Sequence, residues 1–273
     1  MPHMTDRDDW SRAADPARRI GRAVEFHAEI ASTNDRARAA LHQPGGEGLA
    51  IVADLQTAGR GRRGRAWISP ASANLLFSVA LRPTIAPRLT GLLGFAAALA
   101  VRDACASLAH DAGLAIRWPN DLVDRDGRKV AGLLVETALE GGELAEAVIG
   151  IGINVNWLPA DMPPEIAGSA TSLLRLVGAP IDRVMLLGRV LDALDAEVQA
   201  LERGEAPMLR LRASSWLDGR RVDIDTGETT ITGRVAGIAV DGSLLLDTDV
   251  GRLTLSVGEV TRVHEPLPAA VHE

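Results

Sequence analysis

Between Gly59 and Arg65 the chain reads Gly-Arg-Gly-Arg-Arg-Gly-Arg, so four guanidiniums lie within six residues. A guanidinium stays charged at physiological pH and presents a planar fork of donors that matches phosphate and carboxylate oxygens. The interspersed glycines remove the side chains that would keep backbone N–H groups away from an anion. Such a loop suits a small, multiply negative ligand. Arg/Gly clusters also serve as solvated surface or as sequence-blind phosphate binders, so the neighbours decide. Leu49 to Leu55 and Asn74 to Leu81 are apolar runs that predict buried strands, and they tether the loop to a sheet.

Other groups along the chain carry polar chemistry with an ordinary structural reading beside it. Ser32-Thr33-Asn34 offers hydroxyl and amide groups, yet it also stands where a helix cap is needed before Ala37, Ala39, Ala40 and Leu41. In Trp118-Pro119-Asn120-Asp121 the proline restricts its own backbone and that of Trp118, which aims two polar side chains, as a plain polar turn would do too. Lys129 enters a strand-like run, Val130 to Glu136, in which Gly132 lets a ligand approach the backbone closely. Trp67 serves either as a cover for an apolar ligand or as core.

The elements that must hold these groups follow from periodicity. A strand is expected from Ala23 to Ile30, a central apolar helix from Thr90 to about Leu108, and strands at Ala115–Trp118, Val130–Glu136 and Ala147–Val155. Glu140-Gly141-Gly142-Glu143 reads as a hairpin turn between the last two. Val184, Leu187, Leu191, Leu194, Val198 and Leu201 alternate steps of three and four, an amphipathic helix. After Gly219 the pattern changes to five short β segments separated by glycine turns, which predicts a small barrel. Residues 1–22 are charged and alanine-rich without apolar periodicity, and are expected to form a mobile extension. The chain thus reads as an α+β, mixed-sheet domain over 23–214 and a compact β domain over 215–265.

Composition narrows the partners. At 273 residues the chain can bury one large core and a small satellite. A net charge of −7 and a pI near 5.4 argue against a general nucleic-acid binder. The single cysteine, Cys105, excludes an internal disulfide framework, and the six histidines show no metal-ligand spacing, so no metal ligand is assigned. With no signal peptide and no unbroken apolar run of about 20 residues, the chain is expected to be soluble and cytoplasmic, with no membrane partner.

Taken together, Ser32-Thr33-Asn34, Gln56-Thr57-Ala58 with Gly59–Arg65 and Trp67, Trp118–Asp121, Lys129–Gly132 and Gly152-Ile153-Asn154 strongly resemble the biotin protein ligases, over about residues 24–264. The terminal β segment resembles that family's small SH3-like domain. The resemblance implies activation of the biotin carboxylate by ATP, with Mg²⁺, to biotinyl-5′-AMP, then transfer to a lysine of a biotin carboxyl carrier domain. It implies Lys129, Arg62 and Asp121 as catalytic residues. The biotin pocket would take Ser32, Thr33, Asn34, Gln56, Arg60, Gly61, Arg62, Trp67, Lys129 and Gly132. The nucleotide would meet Arg62, Arg65, Asn120 and Asn154. Physical chemistry agrees with these types: carboxylate against triphosphate needs fixed positive charge, and a neutral ureido ring needs uncharged donors and acceptors. Arg117 stands where the family commonly has lysine, which keeps the charge. The loop is expected to be mobile alone and to fold over the adenylate. The oligomeric state is left as monomer or homodimer.

Three alternatives compete. Lipoate or octanoate ligases share the fold type, but their Ser-Gly-Gly-Gly loop with histidine has no counterpart here. A DNA-binding repressor role needs a winged helix–turn–helix. The 31 residues before Ser32 show no two-helix pattern, so specific DNA binding is not expected. An RNA-binding Arg-Gly protein would want stacking aromatics, and the chain has no tyrosine and three phenylalanines.

Overall fold

The computed structural model describes residues 10–264. The first layer is a seven-stranded mixed sheet built from β1 (Val24–Ile30), β2 (Ala50–Gln56), β3 (Leu75–Leu81), β4 (Ala115–Arg117), β5 (Asp121–Val123), β6 (Lys129–Glu140) and β7 (Glu143–Ile153). Its spatial order is β1-β2-β3-β7-β6-β5-β4, with β1 and β2 parallel and the other neighbours antiparallel. The β6–β7 hairpin turns at Gly141 and Gly142, with φ of 61° and 87°, the left-handed pair a two-residue turn demands.

Alternation along the strands divides the sheet's two faces. Leu75, Phe77, Val79 and Leu81 of β3 and Ala147, Ile149, Ile151 and Ile153 of β7 enter one large core. That face is covered by α2 (Leu93–Ala106), which packs against α5 (Arg183–Glu202). The heptad-like positions Leu187, Leu191, Leu194, Val198 and Leu201 all point into it. The opposite face meets α1 (Thr33–Leu41) through a smaller cluster of Ala37, Leu41, Ile51, Ala80 and Val148. Beyond α1 this face is left with Ser78, Gly132, Gly150 and Gly152, and the cavity opens there. The helical stretch Pro87–Ala106 is long and apolar enough to cross a membrane by composition, but 67% of its apolar window is buried inside the protein.

Short helices α3 (Pro164–Ala167), α4 (Leu173–Val177) and α6 (Met208–Ala213) lead to a five-stranded antiparallel sheet. Its strands are β8 (Arg221–Asp225), β9 (Thr230–Ile238), β10 (Leu244–Thr248), β11 (Gly251–Leu255) and β12 (Glu259–His264), in the order β11-β10-β9-β8-β12. The α+β class and the small terminal β unit are therefore as expected.

The mobile extension is not. Residues 1–9 lie outside the described residues, but from Trp10 onward the chain packs on the core. Trp10 is 1% exposed and stacks on Phe26 at 5.6 Å, with the Arg183 guanidinium 5.3 Å above its ring. Ile20 is fully buried and donates its N–H to Asp195 Oδ1 at 2.9 Å. Arg18 pairs with Asp192 at 2.7 Å, and Arg19 with Glu47 and Glu202 at 2.6 Å each. Composition hid this because the segment is held by isolated apolar anchors and by ion pairs to acids on distant elements, which leave no periodic signal.

Candidate active site

A cavity of about 350 Å³ sits over the sheet face left open beyond α1. All fourteen residues that the sequence singled out line it, drawn from α1, the end of β2, the arginine loop, the β4–β5 turn, β6 and the residue after β7. That volume is of the size that holds a small organic ligand.

At the α1 end a row of neutral polar side chains lines the cavity, backed by the Glu136 carboxylate. Ser32 caps α1 by accepting from the Asp35 N–H at 3.4 Å, so its capping reading holds, and its neighbour is engaged further. The Thr33 N–H and hydroxyl both donate to Gln56 Oε1, at 2.8 and 3.0 Å. Ser78 then links the row: its Oγ lies 2.7 Å from Thr33 Oγ1 and donates to Asn34 Oδ1 at 2.6 Å. Asn34 passes its amide on to Glu136 Oε2, also at 2.6 Å. Because Gln56 spends its carbonyl on Thr33, the donors of its amide are what it offers the cavity. Sequence reading missed Ser78, and only its place on the polar side of the β3 alternation marks it.

The floor is glycine. Gly132 and Gly152 face each other across β6 and β7. A Cβ on Gly152 would stand 2.6 Å from the Trp67 indole, and one on Gly132 would stand 2.7 Å from it. A Cβ on Gly150 would collide with the Asn34 amide. Trp67 thus lies flat on the sheet backbone, and its Nε1 is buried with no hydrogen-bond partner among the described residues. Lys129 Nζ rests 5.2 Å above the same ring, a cation–π distance.

The β4–β6 end is ionic. Arg117 ends β4 and Asp121 begins β5, directly opposite one another in register. Arg117 donates to Asp121 Oδ2 at 2.8 Å, and Lys129 Nζ lies 2.6 Å from Oδ1. Burial alone would raise the Asp121 pKa, but the Lys129 and Arg117 charges outweigh it and hold the carboxyl below its ordinary value. Asn120 and Asn154 also line the cavity, with amide donors turned to backbone carbonyls. Asn120 Nδ2 donates to the Leu133 carbonyl at 2.6 Å, and Asn154 Nδ2 to the Thr171 carbonyl at 3.0 Å. Each amide ties a turn to β6 or its flank and keeps its oxygen as acceptor.

The arginine loop bridges the two ends. Arg60 forms a two-pronged pair with Asp35 of α1, at 2.8 and 2.6 Å. Arg62 donates to the Gly258 carbonyl at 3.2 Å; its burial, followed by the nearby Arg63 charge, lowers its pKa. Arg63 turns away from the cavity. Its backbone is left-handed (φ 55°), and its guanidinium pairs with Asp225 at 2.6 Å. Arg65 pairs with Glu259, which also lines the cavity. Sequence reading therefore missed Glu259, Asp225 and the part of the terminal sheet in shaping the loop. Trp118 joins the same boundary: its Nε1 donates to the Gly242 carbonyl at 3.2 Å, and a Cβ on Gly258 would approach its ring to 3.2 Å. The Trp118–Pro119 peptide is cis.

The chain that carries this arrangement is similar to known proteins. Residues 28–154 match the Biotin/lipoate A/B protein ligase family, and residues 219–262 match the Biotin protein ligase C terminal domain. The chain is 35% identical to the Bifunctional ligase/repressor BirA of Bacillus subtilis, over 85% of this chain and 71% of that protein. It is 35% identical to the Biotin--[acetyl-CoA-carboxylase] ligase of Mycobacterium tuberculosis, over 89% of this chain and 90% of that one. Among solved structures, the biotin protein ligase from Aquifex aeolicus in complex with biotin and ATP superposes with a TM-score of 0.74. Sequence identity there is 30%, over 88% of this chain and 99% of that one. The chain belongs to the biotin protein ligase family.

Proposed function

We propose that the cavity joins biotin to ATP at its ionic end and then delivers the acyl group to a lysine of a biotin carboxyl carrier domain. The activity is that of a biotin–[acetyl-CoA-carboxylase] ligase, the name carried by the M. tuberculosis relative. A biotin carboxylate oxygen attacks the α-phosphorus of ATP and pyrophosphate leaves. The acceptor amine then attacks the acyl carbon, the bond to the phosphate oxygen breaks, and AMP departs.

One observation carries the reading: a neutral hydrogen-bonding row and the half-buried cations Lys129 and Arg62 stand at opposite ends of one cavity. Thr33, Asn34 and Gln56 suit a ureido ring, which has donors and acceptors but no charge. Gly132 and Gly152 let the Trp67 indole lie against the backbone, where its flat apolar face suits the uncharged body of the ligand. Lys129 and Arg62 supply the fixed positive charge that two approaching anions require. Asp121 has two roles: it holds Lys129 in place and, during transfer, orients the entering ammonium and helps remove its proton. Arg65 and the Asn120 and Asn154 carbonyl oxygens suit the nucleotide.

Among the described residues no three acidic, histidine or cysteine side chains gather as a metal site. The cavity's carboxylates are Asp121 and Glu259, both in ion pairs. That donor set fits a magnesium ion brought by the triphosphate and touched by at most one or two protein carboxylates. Bound so, the ion would offset phosphate charge.

Biotin-dependent release of pyrophosphate from ATP tests the first half-reaction. Biotin should drive it at least tenfold better than lipoate or octanoate; equal or better release with lipoate would overturn the substrate assignment.

A further inference from the structure

The acyl-adenylate of the reading above is open to attack by amines, thiols and phenols wherever it meets them, and the enzyme's own surface is the nearest matter it meets. The chain is unusual in what it exposes. Of its 29 basic residues, Lys129 is the only lysine, and every other one is arginine. Tyrosine is absent, and Cys105 is the only cysteine. We infer that this side-chain inventory keeps the enzyme from becoming its own acceptor, so that, the α-amino group aside, the bound acyl group has no stable side-chain destination but the amine of a docked partner.

The chemistry of each group supports this. Acyl transfer needs a nucleophilic lone pair on an amine, thiolate or phenolate that attacks the acyl carbon while the bond to the phosphate oxygen breaks and AMP leaves with that electron pair; an amine then sheds its proton to solvent. An unactivated serine or threonine hydroxyl is a weak nucleophile at neutral pH. A guanidinium is protonated and delocalised at neutral pH and offers no such pair. At the cavity, where the acyl carbon must be presented, the cations beyond Lys129 are Arg60, Arg62, Arg65 and Arg117. Cys105 lies fully buried on α2, and burial pushes its thiol up to about 12, so neither access nor thiolate is available. Lys129 itself is engaged by Asp121 at 2.6 Å and covered on one side by the Trp67 ring. Acyl groups on imidazole or carboxylate return to water.

Magnitude explains why the rim matters most. A lysine tethered there would meet the acyl carbon at an effective concentration of about a millimolar or more. An acceptor protein arriving from solution at micromolar concentration would lose that competition by orders of magnitude. Arginine supplies the charge that the phosphates need without supplying the nucleophile.

Ser169 and Arg88 allow a direct test. Ser169 is exposed and lines the cavity, and its carbonyl, not its side chain, accepts from the Lys129 N–H at 2.8 Å. Arg88 is exposed at the start of the helical stretch Pro87–Ala106, outside the cavity lining. Wild type, Ser169→Lys and Arg88→Lys are each incubated without carrier, in one arm with biotin, ATP and Mg²⁺ and in another with preformed biotinyl-5′-AMP. Adducts are located by intact mass and peptide mapping, with the α-amino group read separately. Pyrophosphate release in the first arm reports on adenylate synthesis, so a failure of the proposed reaction shows there, while the second arm still tests this inference. Expected are no side-chain adduct on wild type and a biotinyl group on residue 169 of Ser169→Lys, formed at least tenfold faster than on residue 88 of Arg88→Lys. A side-chain adduct on wild type, or no adduct on either lysine variant, would overturn it.

Discussion

At the α1 end of the cavity Thr33, Ser78, Asn34 and Gln56 hold one another by neutral hydrogen bonds of 2.6 to 3.0 Å. At the β4–β6 end, Arg117, Asp121 and Lys129 hold one another by charge, with one carboxylate between two cations. Neutral bonds act over a single contact and are indifferent to salt, so they suit recognition of a ring with fixed donors and acceptors. Charges act further, strengthen as water leaves, and depend on which partner is present. On the proposed function the cavity separates recognition from reaction, and substitutions at the two ends should fail differently.

The largest effect belongs to Lys129→Ala. Losing a preorganised cation beside developing negative charge costs roughly 3–4 kcal/mol, so biotin-dependent pyrophosphate release should fall about a hundredfold or more. Asp121 keeps Arg117 as a partner, so the melting temperature should stay close to wild type. Wild-type release would remove Lys129 from the reaction.

Asp121→Asn should cost less in adenylation and more in transfer if the carboxylate that holds Lys129 also receives the acceptor amine, as proposed. Transfer from preformed biotinyl-5′-AMP should drop about a further tenfold below the adenylation defect, and the gap should narrow as pH rises and free amine accumulates. Equal losses in both steps at every pH would confine Asp121 to holding Lys129.

Thr33→Val removes one hydroxyl at the other end and keeps the shape. A lost bond within a buried polar row costs about 1–3 kcal/mol, so the KM for biotin should rise about tenfold while the KM for ATP stays put. The defect should be the same in low and high salt. A matching rise in the KM for ATP would erase the division between the ends.

The smallest effect concerns pH and stability. The Asp121 pKa in the folded chain is depressed, so its ion pairs contribute fully above the unfolded value of about 3.9 and are lost as pH falls through the lower folded value. The difference in melting temperature between wild type and Asp121→Asn should therefore be constant from about pH 8 to 5 and shrink below about pH 4. A difference that decays already near neutrality would show that the carboxylate is not held by its two cations.

Much of this was legible in the sequence for a physical reason. Strands β2, β3 and β7 are buried on one face or both, so their apolar runs are long, and α5 keeps one unbroken stripe from Val184 to Leu201. The site residues were legible as a set because fixed chemistry sits beside glycines and prolines that mark turns. What stayed hidden depends on contacts between distant segments. Ser78 looks like any strand serine until Thr33 and Asn34 are brought over it. Glu259 and Asp225 lie about two hundred and a hundred and sixty residues from the arginines they hold, a distance no local pattern spans. Trp10 and Ile20 are single anchors in a charged segment, too few to make a period.

The central claim is that this chain moves biotin onto a carrier lysine through the cavity. The most direct measurement incubates it with biotin, ATP, Mg²⁺ and a biotin carboxyl carrier domain, then probes the carrier with streptavidin. Labelling should appear only when biotin and ATP are both present, should fall at least a hundredfold with Lys129→Ala, and should vanish when the carrier's acceptor lysine is replaced. A carrier left unlabelled by this chain, while a working ligase labels it in parallel, would contradict the account.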